Sequence, residues 1–282
     1  MSIRTDLAIE LSKGKEKNIK GIKSEEKRNG DVLTTFTEIF SEEGEKKIGK
    51  PKGKYITLQF PSVDKIDCYE EIEKEIIKSL EKLLEKEINN ILVVGLGNEE
   101  ITSDSIGPSV VKKILATRHI AGEFAEKIGL KGLKSVSIIS PNVLGKTGLE
   151  VTEILKGIIK QTEVEAVIVI DALAAGSITR LFKTIQFSNT GISPGSGVKN
   201  RRKEISEKTL GIPVIAVGIP TVVDALSLAF EITEQIPKND TDMIVTPKEA
   251  DLLCHRISEI LARAINVFLQ PEIDKEILFS LV

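Results

Sequence analysis

The chain has 282 residues, 41% of them hydrophobic, which is enough to bury a large core without a disulfide or metal staple. Its 39 Lys and Arg against 42 Asp and Glu leave a net charge of −3, so it lacks the basic footprint of a nucleic-acid binder, and its two histidines, His119 and His255, make a Ser-His-Asp triad or a multi-histidine metal cage hard to build. Cys68 and Cys254 fit no zinc or redox spacing, Met1 to Asp6 does not resemble a signal peptide and no apolar run approaches membrane-spanning length, so the chain reads as a cytoplasmic protein with free thiols.

Taken in order, Leu11 to Arg28 is dominated by Lys and Glu, which predicts a solvated, mobile arm. Val32 to Phe40 and Lys54 to Phe60 are β-branched and aromatic and predict a peripheral β-ribbon, joined by the charged Glu42 to Lys54 connection. Cys68 to Ile88 places Ile72, Ile76, Ile77, Leu80, Leu83, Leu84 and Ile88 at helical spacing. The central stretch follows. Ile91 to Val94 is an unbroken apolar run bounded by glycines, as in a strand buried on both faces, and it leads through Gly95-Leu-Gly97-Asn98 to Asp104, Gly107 and Pro108. A helix over Ser109 to Thr117 is predicted next, with His119 as a cation at its C-terminal end.

Lys134 to Ser140 predicts a second strand and Gly148 to Ile159 a helix. Ala166 to Ile170 predicts a fully apolar strand ending in Asp171, and Lys183 to Phe187 another short strand. A glycine-rich loop from Thr190 ends in the basic cluster containing Arg201 and Arg202. Pro213 to Ile219 is a further buried strand, and Thr221-Val-Val-Asp224 has the form of a capping box opening a helix to about Gln235. Met243 to Thr246 and a last amphipathic helix with Pro247 at its start complete the chain. Strands alternate with helices from Ile91 onward, which predicts an α/β fold with an open parallel-rich sheet covered on both faces. The expected organisation is a short leading segment at 1–6, an N-terminal arm and β-ribbon at 7–67 and an α/β domain at 68–282.

The third glycine of a dinucleotide fingerprint is missing after Gly97, with Glu100 in its place, so no nucleotide and no other cofactor is expected. Asp104 and Asp171 can each be an ordinary capping or strand-end aspartate. As a pair beyond the carboxyl ends of apolar strands they can instead converge on one cleft, where close carboxylates share a proton and one acts as general base on water. That chemistry cuts an amide without a metal. Arg201 and Arg202 are either solvated charges or a hold on an acidic substrate group.

The segments Val93 to Asn98, Asp104 to Pro108, Ala116 to His119, Ile170 to Ala175, Pro194 to Val198, Thr209 to Ala216, Pro220 to Ala225 and Val245 to Glu249, with Arg4 to Glu10, together resemble the germination protease (spore protease) family of endospore-forming bacteria. The resemblance implies an aspartic-type endopeptidase that begins degradation of small acid-soluble spore proteins in the spore core, made as a zymogen and assembled as a homotetramer. It also implies a fold similar to hydrogenase-maturation endopeptidases, and it places the catalytic aspartates on Asp104 and Asp171. The family's cleavage pattern, an acidic residue before the cut and an apolar one after it, falls on Asp6 and Leu7, implying self-processing there by an arm free to reach the active site. Gly176, Asn189 and Lys199 depart from the family's usual residues, and the 236–243 connection is shorter than usual. Two other readings are a metal-dependent maturation peptidase of the related fold, which needs a ligating histidine after the second acid, and an inactive spore-protein-binding homologue.

Overall fold

The computed structural model describes residues 5–12, 20–63, 69–122, 125, 127, 130, 132–195, 202–234 and 243–281, and within them a single mixed sheet organises the chain. Its parallel centre is β4 (Asn90–Gly95), β5 (Ser135–Ile139), β6 (Ala166–Ala175) and β8 (Val214–Asp224), in spatial order β8-β6-β4-β5. Almost every residue of β6 and β8 is buried, because helices cover both faces of these strands and leave no solvent side for polar alternation. Along β4, Ile91 and Val93 face one apolar cluster while Leu92 and Val94 face the other, as the two-residue period of a strand requires.

On the first face lie α3 (Tyr69–Leu83), burying Ile72, Ile76 and Leu80, and α9 (Ala250–Leu269), burying Leu253, Ile257, Leu261 and Ile265. The second face is covered by α6 (Val151–Thr162), through Val151 and Leu155. α3 ends at Leu83, earlier than its apolar period suggested, yet Ile88 still packs into the core as the chain enters β4.

The predicted ribbon forms, but it is not peripheral. β1 (Ile22–Asn29), β2 (Val32–Ile39) and β3 (Gly53–Gln59) form an antiparallel wing, and β3 pairs with β7 (Thr184–Ser188), which pairs in turn with β8. The wing therefore extends the catalytic sheet itself. Within the Glu42 to Lys54 connection, α2 (Glu42–Ile48) is capped by Ser41 and stopped by Gly49 in the left-handed region at φ 73.

Several expectations are corrected. The segment read as a solvated arm contains β1, whose side chains are mostly exposed while its backbone is registered against β2 from Ile22 opposite Ile39 to Asn29 opposite Val32. Charged side chains suit an edge strand, because backbone pairing holds it and charge discourages further pairing. Residues 13–19 lie outside the described residues. Residues 5–12 are docked rather than free: α1 (Ala8–Ser12) follows Leu7, and Leu7, Ala8 and Ile9 are all buried. The helix after Asp104 is α4 (Ile106–Val111), so His119 stands in a turn and not at a helix end. Asp224 does cap a helix, α8 (Ala225–Thr233), by accepting from the amides of Leu226 and Ser227, but Thr221 belongs to β8 and forms no capping box with it. The two-residue β9 (Ile244–Val245) pairs with the end of β8, and most of the shortened connection before it lies outside the described residues.

The docked arm makes a measurable prediction. Leu7 is fully buried in the main apolar cluster, so Leu7→Ala should lower the free energy of unfolding by about 2 kcal/mol or more in a urea titration, where a loose terminus would give no change.

Candidate functional site

The site is built where β4 and β6 meet the start of α4. Gly107 lies against backbone on two sides: a Cβ there would sit 2.3 Å from the Leu96 carbonyl oxygen and 2.6 Å from that of Ile170. A Cβ on Gly95 would likewise come within 2.3 Å of the Gly107 carbonyl oxygen. Gly97, at φ +115, turns the chain so closely under Asp104 that its own Cβ would be 2.0 Å from the Asp104 carbonyl oxygen. These glycines, which resembled part of a nucleotide fingerprint, let backbone pack on backbone.

Asp104 closes a 3-10 turn, Thr102–Asp104, and Ser105 rather than Asp104 precedes α4, with no side-chain cap. Asp104 Oδ2 accepts from the Asn98 amide at 2.8 Å, which ties the turn to the loop leaving β4. The turn is tied to β8 as well: Thr221 Oγ1 donates to the Ser103 carbonyl at 2.6 Å, and Thr246 Oγ1 donates to the Thr221 carbonyl at 2.8 Å.

Asp171 is not the last residue of its strand. β6 continues to Ala175, with a register shift against β8 between Leu173 and Ala174, and past Gly95 the strand has no β4 partner. Asp171 is buried, and its Oδ1 accepts from the following amide, Ala172, at 2.9 Å. Asp104 and Asp171 line one cleft of about 280 Å³ together with Asp6, Asn142, Ser193 and Arg202. Burial raises the pKa of both acids. Asp104 is raised against the opposing pull of the Asn98 amide and Arg202, whereas Asp171 is raised well above the usual range by burial and then by the Asp104 and Asp6 charges. Of the two acids, Asp171 is the more strongly raised.

Asp6 reaches this cleft because the arm lies along the unpaired edge of β6. The Asp6 amide donates to the Ala174 carbonyl at 2.9 Å, and the Ala174 amide donates back to Asp6 Oδ2 at 2.9 Å. Gln186, from β7, brackets Leu7: its Nε2 donates to the Asp6 carbonyl at 3.3 Å, and its Oε1 accepts from the Ala8 amide at 2.6 Å. Glu10 Oε2 accepts from the Gly176 amide at 2.7 Å and from Thr5 Oγ1, while Glu10 Oε1 lies 3.9 Å from Nε of buried Arg180.

The structure thus brings together Asp104, Asp171, Asp6 and Arg202, whereas Arg201 lies outside the described residues. His255 is exposed on α9, 3.3 Å from Glu259, and among the described residues no group of three His, Cys, Asp or Glu side chains is arranged to hold a metal. Sequence reasoning missed Gln186, Arg180, Lys50 and the backbone groups of Ala174 and Gly176. Gln186 carried a signal, a large polar side chain in a strand that is buried throughout. No helix among the described residues is long and apolar enough to cross a membrane.

A family model described as germination protease matches residues 3–239. Similar relatives include the germination protease of Caldanaerobacter subterraneus subsp. tengcongensis, 40% identical over 314 residues that cover 98% of this chain and 97% of the relative. That of Clostridium tetani is 40% identical over 317 residues, covering 98% of each, and that of Priestia megaterium 42% over 259 residues, covering 84% of this chain and 68% of the relative. Among solved structures, the [NiFe] hydrogenase maturation protease HycI from Thermococcus kodakarensis aligns with a TM-score of 0.38 and 15% identity over 66% of this chain and 97% of that one.

The electrostatics of Asp171 predict an unusual stability profile. A raised folded pKa means that the native chain keeps a proton which the unfolded chain releases near pH 4, so Asp171 costs stability increasingly as pH rises above that value. Asp171→Asn, which keeps the oxygen facing the Ala172 amide, should match the wild type in thermal melts near pH 3 and melt progressively higher toward neutral pH. A variant that is less stable at pH 7 would contradict the assignment.

Proposed function

The chain belongs to the germination protease family, and from that premise we propose that it is an endopeptidase of spore germination in which Asp104 and Asp171 jointly activate water to cut small acid-soluble spore proteins. The observation that carries the mechanism is the shared cleft, in which Asp171 is the acid raised further by its partner's charge. Asp104, steadied by the Asn98 amide and beside Arg202, is the ionised member and takes a proton from the attacking water. Asp171 supplies its proton to the substrate carbonyl oxygen as the tetrahedral intermediate forms. Collapse of that intermediate breaks the C–N bond, with a proton delivered to the leaving amine, and the pair returns to its singly protonated state.

The same reading makes the protein a zymogen that cuts itself between Asp6 and Leu7. Its support is the placement of Asp6 on the cleft wall, with the Gln186 side chain bracketing Leu7 from the Asp6 carbonyl to the Ala8 amide. Inhibition in the uncut chain follows from occupancy, since the arm is hydrogen-bonded to the end of β6, where a substrate strand would pair. Mild acid favours the cut by protonating the raised carboxylates of the cleft, which relieves repulsion while one charge remains to act as base. Assembly as a homotetramer in the spore core belongs to this reading too, and the exposed Phe230, Ile232 and Met243 offer an apolar surface on which subunits would close.

Because the two acids act as a unit, Asp104→Asn and Asp171→Asn should each lower kcat on a spore-protein peptide by about 10³-fold or more, with the double variant little worse than either. Full activity in either single variant, or activity lost to a chelator and restored by a divalent cation, would overturn the pair mechanism. After mild acid incubation, N-terminal sequencing should read Leu7 first, and this terminus should be absent in Asp104→Asn. An intact original terminus in a protein already active on spore-protein peptides would refute the zymogen assignment.

A further inference from the structure

A second chamber, about 380 Å³, opens beside the cleft of the two acids and shares Asp6, Leu173, Ser193 and Arg202 with it. It is reached past Asp6, and Lys50 lies in its wall. Lys50 is held by stiff backbone on either side. Gly49 turns out of α2 at φ 73, Pro51 restricts the residue before it to extended conformations, and the Pro51 carbonyl accepts from Tyr55 Oη at 2.8 Å. Burial pushes the Tyr55 phenol up to about 12, so it remains a donor throughout the physiological range. Gly218 keeps one wall of the chamber free of a side chain, where a Cβ would run into Leu173.

Lys50 is an uncommitted cation. Among the described residues it makes no hydrogen bond and no ion pair, although burial weakens its hold on its proton, and the charge it feels in compensation is that of Asp6. Asp6 in turn directs Oδ2 to the Ala174 amide rather than to the lysine. The chamber's other cation, Arg202, acts on Asp104 and Asp171, and Lys50 and Asp6 stand as opposed charges in the same wall. When residue 6 leaves, the lysine faces an empty chamber at the point where a peptide chain on the β6 edge would present the side chain before the bond to be cut.

We propose that Lys50 is a specificity-determining residue, whose ammonium reads an acidic side chain on the amino side of the scissile bond, and that Asp6 occupies this subsite in the uncut chain. The inference rests on the endopeptidase reading for its role in turnover, but the subsite itself can be tested without turnover. In the full-length uncut Asp104→Asn chain, hydrogen exchange at the Ala8 amide reports release of the arm. Asp6→Asn and Lys50→Met should each speed that exchange about fivefold, and the double variant by clearly less than the product of the two, because the pair shares an interaction. Additive effects, or no effect of Lys50→Met, would overturn the subsite.

In turnover, two peptides that differ only in glutamate or glutamine before a leucine separate the remaining roles. The wild type should favour the glutamate peptide in kcat/KM by about tenfold, Lys50→Met should erase that preference mainly through KM, and Lys50→Arg should retain it. A preference unchanged in Lys50→Met would refute the assignment. A wild type that cuts neither peptide would instead refute the endopeptidase reading, and the exchange experiment would then decide the subsite alone.

Discussion

The site depends on a contact between main chains. Gly107 at the start of α4 sits against the carbonyls of Leu96 and Ile170, and Gly95 lies opposite with equally little room. No side chain fits between the helix and the strand ends, so the turn carrying Asp104 is pressed toward the strand carrying Asp171. Everything else holds that turn in place: the Asn98 amide on its carboxylate, Thr221 on its backbone and Thr246 behind Thr221. Two acids from segments 67 positions apart in the chain are thereby kept in one cleft by packing that tolerates almost no slack.

The electrostatic consequence is an asymmetry between chemically identical groups. Each carboxylate accepts from one amide and feels Arg202, but Asp171, the more deeply buried, bears most of the cost of like charge nearby. The arm adds a third carboxylate to this balance. Its charge acts on Asp171 and on Lys50, so the docked terminus adds to the proton affinity of Asp171.

Much of this was legible in the sequence. The apolar runs at Ile91, Ala166 and Pro213 pointed to the parallel strands because short unbroken runs of four or five β-branched and aliphatic residues suit strands buried on both faces, and both acids stood out against those runs. The rest was hidden for physical reasons. Ile22 to Asn29 reads as solvated because its side chains are solvated; its strand is fixed by backbone pairing to β2, which leaves no mark on composition. Leu7 and Ile9 sit in a segment too short for periodicity to show, so a docked terminus looks like a loose one. Asp171 seemed to end its strand because Ala172 to Ala175 is mostly alanine, yet these four continue beside β8, across a register shift between Leu173 and Ala174. Lys50 is invisible to any pattern, since only the fold brings α2 and its turn beside β6.

The arm is gripped on β6 through the amide and carbonyl of Ala174 and the amide of Gly176, groups that every residue except proline supplies. Ordinary substitution at those two positions therefore cannot remove the grip. A tighter or looser hold must be written into the arm, above all at Asp6 and Glu10, or into Gln186 and Arg180 across from it. The strand is a fixed socket, and variation in the strength of the hold enters almost entirely through the plug.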